Sequence, residues 1–113
     1  MKNLRIDEWL QTVCTREASD LHLAVGSQPV MLHCGQAHPM ATEVLDPADT
    51  MALMKTITPE RCQQELREFG RTNYGFAFGE EARFRVAVSA QHGNIGLVLQ
   101  RIPTDTLGGA TQD

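Results

Sequence analysis

The pattern that most limits the fold lies between residues 73 and 102. Tyr74, Phe76 and Phe78 alternate with Asn73, Gly75 and Ala77, and Phe84, Val86 and Val88 alternate with Arg83, Arg85 and Ala87. A period of two puts every second side chain on one face of a strand, so each run has an apolar face that needs cover and a second face that does not. Gly79-Glu80-Glu81 between the runs has turn chemistry, which makes the pair a β-hairpin. Gln91-His92-Gly93-Asn94 is a second turn and Ile95 to Ile102 a last strand, so this half reads as a meander.

The N-terminal half changes period. Ile6, Trp9, Leu10, Val13 and Cys14 follow helical spacing, with Asp7 and Glu8 in the first turn, and predict a helix from Ile6 to Arg16. Leu21, Leu23 and Val25 then alternate with Asp20, His22 and Ala24 as a half-buried strand ended by Gly26-Ser27. Pro29 to Cys34 reads as a second strand and Ala37 to Ala41 as a third, which Pro39 confines to an edge. Two helices follow, each behind a side chain able to cap it and a proline at its start. Asp46-Pro47 opens one carrying Met51, Met54 and Ile57; Thr58-Pro59 opens one carrying Cys62, Leu66 and Phe69 and stopped by Gly70.

The order is helix, two or three strands, two helices, three strands. Short turns between successive strands imply an antiparallel sheet with helices on one face, an α+β domain. The uncovered face would carry Asp20, His22, Arg83 and Arg85, or be buried against something outside this chain. Residues 1–103 form one domain on this reading, and the Gly/Thr-rich end, residues 104–113, is a linker or disordered tail.

Composition narrows the function. At 113 residues and 42% hydrophobic, the chain is long enough for one core without disulfides or a structural metal. Cys14, Cys34 and Cys62 are widely spaced, make no C-x-x-C and read as reduced thiols. Fourteen acidic against ten basic side chains leave a net charge of −4, which argues against a nucleic-acid partner. No apolar run approaches the ~20 residues that span a bilayer, and the N-terminus does not read as a signal segment, so the expected location is cytoplasmic.

Enzyme motifs are missing. The lysines are Lys2 and Lys55, no G-x-x-x-x-G-K-[ST] occurs to cradle phosphates, and the glycines form no dinucleotide fingerprint, so no catalytic residue and no ATP hydrolysis are expected of this chain alone. His22, His33, His38 and His92 with Cys34 suggest zinc by residue type, but His33 and Cys34, as neighbours in a strand, would point to opposite faces, and no metal site is expected. Arg83 and Arg85 are more informative. In a strand they project to one face about 6.6 Å apart and offer two guanidinium groups to an anion. The plain alternative is a solvated strand face paired with glutamates. Asp20 and His22 likewise share a face, with a turn-closing Asp and a surface His as the plain reading.

Ala18-Ser19-Asp20-Leu21-His22-Leu23 with Gly26 and Pro29, then Ala82-Arg83-Phe84-Arg85-Val86 and Gly96-Leu97-Val98-Leu99-Gln100-Arg101-Ile102-Pro103, resemble the N-terminal domain of the type IV pilus retraction ATPases, the PilT and PilU family. The resemblance spans residues 6 to 103 and extends more distantly to type II secretion and pilus-assembly ATPases. It implies a PAS-like sheet of about six antiparallel strands with helices on one side. It also implies a homo-hexamer in which this domain packs on the ATPase domain of a neighbouring subunit, and a pilus machinery at the inner membrane as the wider partner. ATP and magnesium would belong to the full-length motor, with no cofactor held by this chain. Arg83 and Arg85 inherit candidacy as nucleotide-sensing or interface residues, Arg101 does so more loosely, and Ser19, Asp20 and His22 belong to the family motif.

The sequence departs from the family at three places. Leu32-His33-Cys34-Gly35 stands where an Arg and a Val-Asp-Gly are common, the turn at Gln91-His92-Gly93-Asn94 lacks an Arg, and Gln100 replaces another. The family continues past Pro103 into its ATPase half. A stand-alone PAS-like regulatory or ligand-binding module that docks on a pilus ATPase therefore stays open beside the motor-domain reading.

Overall fold

The computed structural model describes residues 5–41, 43–79 and 82–102. The elements run α1 (Ile6–Thr15), β1 (Asp20–Leu23), β2 (Val30–His33), β3 (Gln36–Pro39), α2 (Pro47–Ile57), α3 (Glu60–Phe69), β4 (Arg71–Phe78), β5 (Ala82–Gln91) and β6 (Asn94–Ile102). The six strands form one sheet in the order β3-β2-β1-β6-β5-β4, with every neighbour antiparallel. The α+β expectation holds, and Pro39 lies on an edge strand as its missing N–H requires. The expected tail at 104–113 and the Glu80-Glu81 part of the first hairpin turn lie outside the described residues.

The local chemistry accounts for the boundaries. Asp46 caps α2: its Oδ1 accepts from the Asp49 backbone N–H, while Asp49 Oδ2 accepts from the Asp46 N–H, both at 2.9 Å. Gly70 ends α3 at φ 79°, a left-handed conformation that suits a residue without Cβ. The turn between β5 and β6 has positive φ at both His92 and Gly93, the geometry that matches strand twist in a two-residue hairpin.

All three helices cover one face of the sheet. Ile6, Trp9, Leu10 and Val13 of α1, Leu53 and Met54 of α2 and Leu66 of α3 join Leu21, Leu23, Met31, Phe84, Val86, Val88, Ile95, Leu97 and Leu99 in a single buried cluster. The expected alternation is therefore literal in β5, where Ala82, Phe84, Val86 and Val88 are buried and Arg83, Arg85, Ala87 and Ser89 are exposed.

Three expectations need correction. Thr58 does not cap α3; Pro59 holds that position, and the Thr58 hydroxyl instead meets the Tyr74 phenol at 2.7 Å, pinning the α2–α3 junction to β4. Phe69 follows the periodicity of Cys62 and Leu66 but is 72% exposed, because it lies in the last turn of α3, where the chain leaves for β4. β1 stops at Leu23, and Val25 instead forms an isolated parallel bridge with Leu45.

Two outcomes check this packing. Trp9 is buried in the cluster, so Trp9→Ala should lower stability by about 3–5 kcal/mol, read as a shifted denaturation midpoint; an unshifted midpoint would mean the ring is not part of the core. Tyr74, the one tyrosine in the chain, has its pKa pushed up to about 12, chiefly by burial, against a smaller opposing effect of the Thr58 hydrogen bond. Its folded pKa exceeds its unfolded value near 10, so the neutral phenol's contribution is intact below pH 10 and is lost as pH rises toward 12. Ultraviolet titration of the phenolate should give a midpoint well above 10 in the folded chain, and a midpoint near 10 would contradict the packing.

Candidate functional site: the open face of the sheet

Among the described residues, nothing covers the face opposite the helices. The strand register orders its side chains into rows, because residues opposite each other in an antiparallel pair share a face. One row runs Gly75, Arg85, Gln100, Asp20, Leu32 and Ala37, and the next runs Asn73, Ala87, Val98, His22, Val30 and Pro39. Arg83 lies between Ala77 and Ile102 in a third. The expected juxtaposition is met: Arg83, Arg85, Asp20 and His22 all belong to this face.

The two arginines occupy its β4–β5–β6 end. Neither makes an ion pair or a side-chain hydrogen bond among the described residues, and their flanking cross-strand neighbours Gly75 and Ala77 are too small to screen them. Two strands away from Arg85, across Gln100, stands Asp20, at roughly 10 Å by strand spacing. The His22 Nε2 lies 3.8 Å from Asp20 Oδ2. Val98 and Ile102 interrupt this polar surface and are 39% and 37% exposed.

Arg101 is not part of the constellation. It sits opposite Phe84 and shares the parity of Leu97 and Leu99, so its side chain leaves the other face of the sheet. Its Nε donates to the Ala18 carbonyl at 2.8 Å, and its backbone N–H donates to the Ser19 carbonyl at 2.8 Å. Ser19 is likewise bound up in the strands: its N–H and hydroxyl both donate to the Leu32 carbonyl, at 2.9 and 3.3 Å. These motif residues close the junction of β1, β2 and β6 and leave Asp20 and His22 facing outward.

His33 and Cys34 correct another expectation. Cys34 is the first turn residue after β2, with φ 54°, so it does not alternate with His33, and its Sγ lies 3.8 Å from His33 Nε2. His38 stands edge-on to His33 with ring centroids 6.1 Å apart. Among the described residues, no three His, Cys, Asp or Glu side chains are grouped to hold a metal ion.

Sequence reasoning missed the apolar part of the face. The run Ile95 to Leu99 holds an outward valine between inward leucines, and near-continuous apolar strands mark sheets covered on both sides. That signal was present in Leu97-Val98-Leu99. No helix among the described residues is long and apolar enough to cross a membrane.

No family model matches the chain. Over 102 residues it is 30% identical to the type IV pilus retraction ATPase PilT of Pseudomonas aeruginosa and 26% identical to the type IV pilus ATPase PilU of the same organism. Each comparison covers 90% of this chain, which spans only 30% of PilT and 27% of PilU. Among solved structures, the crystal structure of the pilus retraction motor PilT with bound ADP superposes with a TM-score of 0.81 at 29% identity, covering 91% of this chain and 30% of that one. The ATPase DotB of Legionella pneumophila shares the fold at a TM-score of 0.73 and 20% identity, over 88% of this chain and 28% of its own. In sequence and in fold, the chain is thus similar to under a third of the length of PilT-family ATPases, consistent with the N-terminal domain of the group its motifs resemble.

Proposed function

We propose that the chain acts as the N-terminal domain of a pilus-retraction-type motor and that its open face packs against the ATPase domain of a neighbouring subunit in a homo-hexamer. The observation that carries this reading is the pair Arg83 and Arg85, two cations on an uncovered sheet face with no ion pair among the described residues. A surface that presents two neighbouring guanidinium groups suits an anion from outside, and planar, permanently charged donors suit phosphate oxygens. In this reading the arginines approach nucleotide phosphates bound by the neighbour, while ATP and magnesium are held there and not by this chain. Val98 and Ile102 would give the same contact its apolar part. Work would be done in the cytoplasm, at the pilus machinery of the inner membrane. A stand-alone module that docks on a pilus ATPase uses the same face, and differs in that no ATPase domain shares its polypeptide.

Two measurements test the proposal. The chain by itself carries no P-loop and should release no phosphate from ATP above the buffer rate; protein-dependent turnover that survives repurification would contradict it. Arg83→Ala and Arg85→Ala should leave the stability of the isolated domain within about 0.5 kcal/mol of wild type, and the same changes are then made in this domain joined to a PilT-family ATPase domain. The ATPase rate of the assembled hexamer should fall much further, since an arginine acting in trans on a phosphoryl group is worth ~10³-fold or more and a surface ion pair at most about 1 kcal/mol. Loss of the hexamer would assign the arginines to packing alone. An unchanged rate in an intact hexamer would remove both roles.

A further inference from the structure

The two edges of the sheet are built differently. β3 is four residues long, and Pro39 withholds an N–H from its free side. β4, at the other edge, has eight residues, no proline, no lysine and a single charge, Arg71. Edge strands of this length normally carry one of those protections, because their unpaired backbone groups are a template for another strand.

The register shows which groups are unpaired. The Ala90 N–H donates to the Gly70 carbonyl at 2.9 Å, and Arg71 then lies opposite Ser89 and Thr72 opposite Val88. Antiparallel pairs alternate, so Thr72, Tyr74, Phe76 and Phe78 exchange hydrogen bonds with β5. Arg71, Asn73, Gly75 and Ala77 direct their N–H and C=O groups away from the sheet, and among the described residues no other strand pairs with β4. On the helix side of the same strand, Tyr74, Phe76 and Phe78 are only partly buried, a row of three aromatic rings at the rim of the core.

We infer that β4 pairs with β4 of a second copy of this chain, joining two six-stranded sheets into one across a two-fold axis. The strand is complementary to itself. With the axis perpendicular to the sheet at Tyr74, Arg71 meets Ala77 and Asn73 meets Gly75, so every outward-directed backbone group faces another and no charge stands opposite a like charge. Thr72 then meets Phe76, and the two Tyr74 side chains meet at the axis, which extends cover over the half-buried rings. A perpendicular axis keeps the helices of both copies on one side and both arginine-bearing faces on the other. The contact therefore leaves the open face free and does not depend on the proposed function.

Light scattering and amide exchange on the 113-residue chain test this together. Such an interface falls well below ~1,200 Å², so association should be weak, with a mass of 12.5 kDa in dilute solution rising toward twice that value between roughly 10 µM and 1 mM. In the dilute protein Arg71, Asn73, Gly75 and Ala77 should exchange quickly and Thr72, Tyr74 and Phe76 slowly. Across the association, the four fast amides should slow by about tenfold or more. Ala77→Pro removes one outward N–H without touching the β5 pairing. Gly75→Glu has open space for its side chain, stands opposite Arg85 in its own sheet and, in this register, faces Asn73 of the second copy with the two introduced carboxylates diagonal across the axis. Both variants should keep the fold by circular dichroism and remain monomeric throughout. A wild type that stays monomeric to about 1 mM overturns the inference. So does a dimer that persists in both variants, or one in which the four amides still exchange quickly.

Discussion

The pairing of β1 with β6 makes one domain out of two halves that are far apart in sequence. Leu21 faces Leu99 and Leu23 faces Leu97 across it, all four fully buried, while Arg101 binds the Ala18 and Ser19 carbonyls just beyond. These contacts span about eighty residues, and among the described residues β1 and β2 pair with no other strand of the C-terminal half. Without them α1 would lose the floor on which Trp9, Leu10 and Val13 pack. The same pairing places Asp20 and His22 in rows with Gln100, Val98 and Arg85, so the outer face is assembled by the contact that closes the core.

One-sided cover is the physical link from fold to function. The helices remove one face of the sheet from water, and the other face keeps a valine, an isoleucine and two arginines without a counter-charge among the described residues. A surface of this composition is not what solvent alone requires of a sheet, since strands that face water usually alternate to polar residues. The chain spans under a third of the PilT-family ATPases it matches, and the function proposed above sets this face against a neighbouring ATPase domain.

Much of this was legible in the sequence, for reasons tied to particular residues. Period-two alternation located β5 and its two faces, and Asp46-Pro47 and Gly70 marked helix ends that the structure reproduces. Arg101 shows what strand parity adds to a motif. Motif resemblance grouped it with Arg83 and Arg85, yet its parity with Leu97 and Leu99 already placed it on the helix side of the sheet. Thr58 misled for a different reason: capping propensity is local, and a tyrosine sixteen residues away offered its hydroxyl a better partner. Cys34 escaped alternation because a tight turn, with its positive φ, begins at that residue. Tertiary partners and turn conformations are set by the whole chain, and no window of neighbouring residues contains them.

Hydroxyl-radical footprinting compares the open face in and out of an assembled motor most directly. With this domain joined to a PilT-family ATPase domain and the assembly purified intact, His22, Val98 and Ile102 should be oxidised severalfold more slowly than in the isolated chain, and Met51 on α2 at an unchanged rate. Equal oxidation of His22, Val98 and Ile102 in the two states would show that the arginine-bearing face meets nothing in the motor, and would contradict the account.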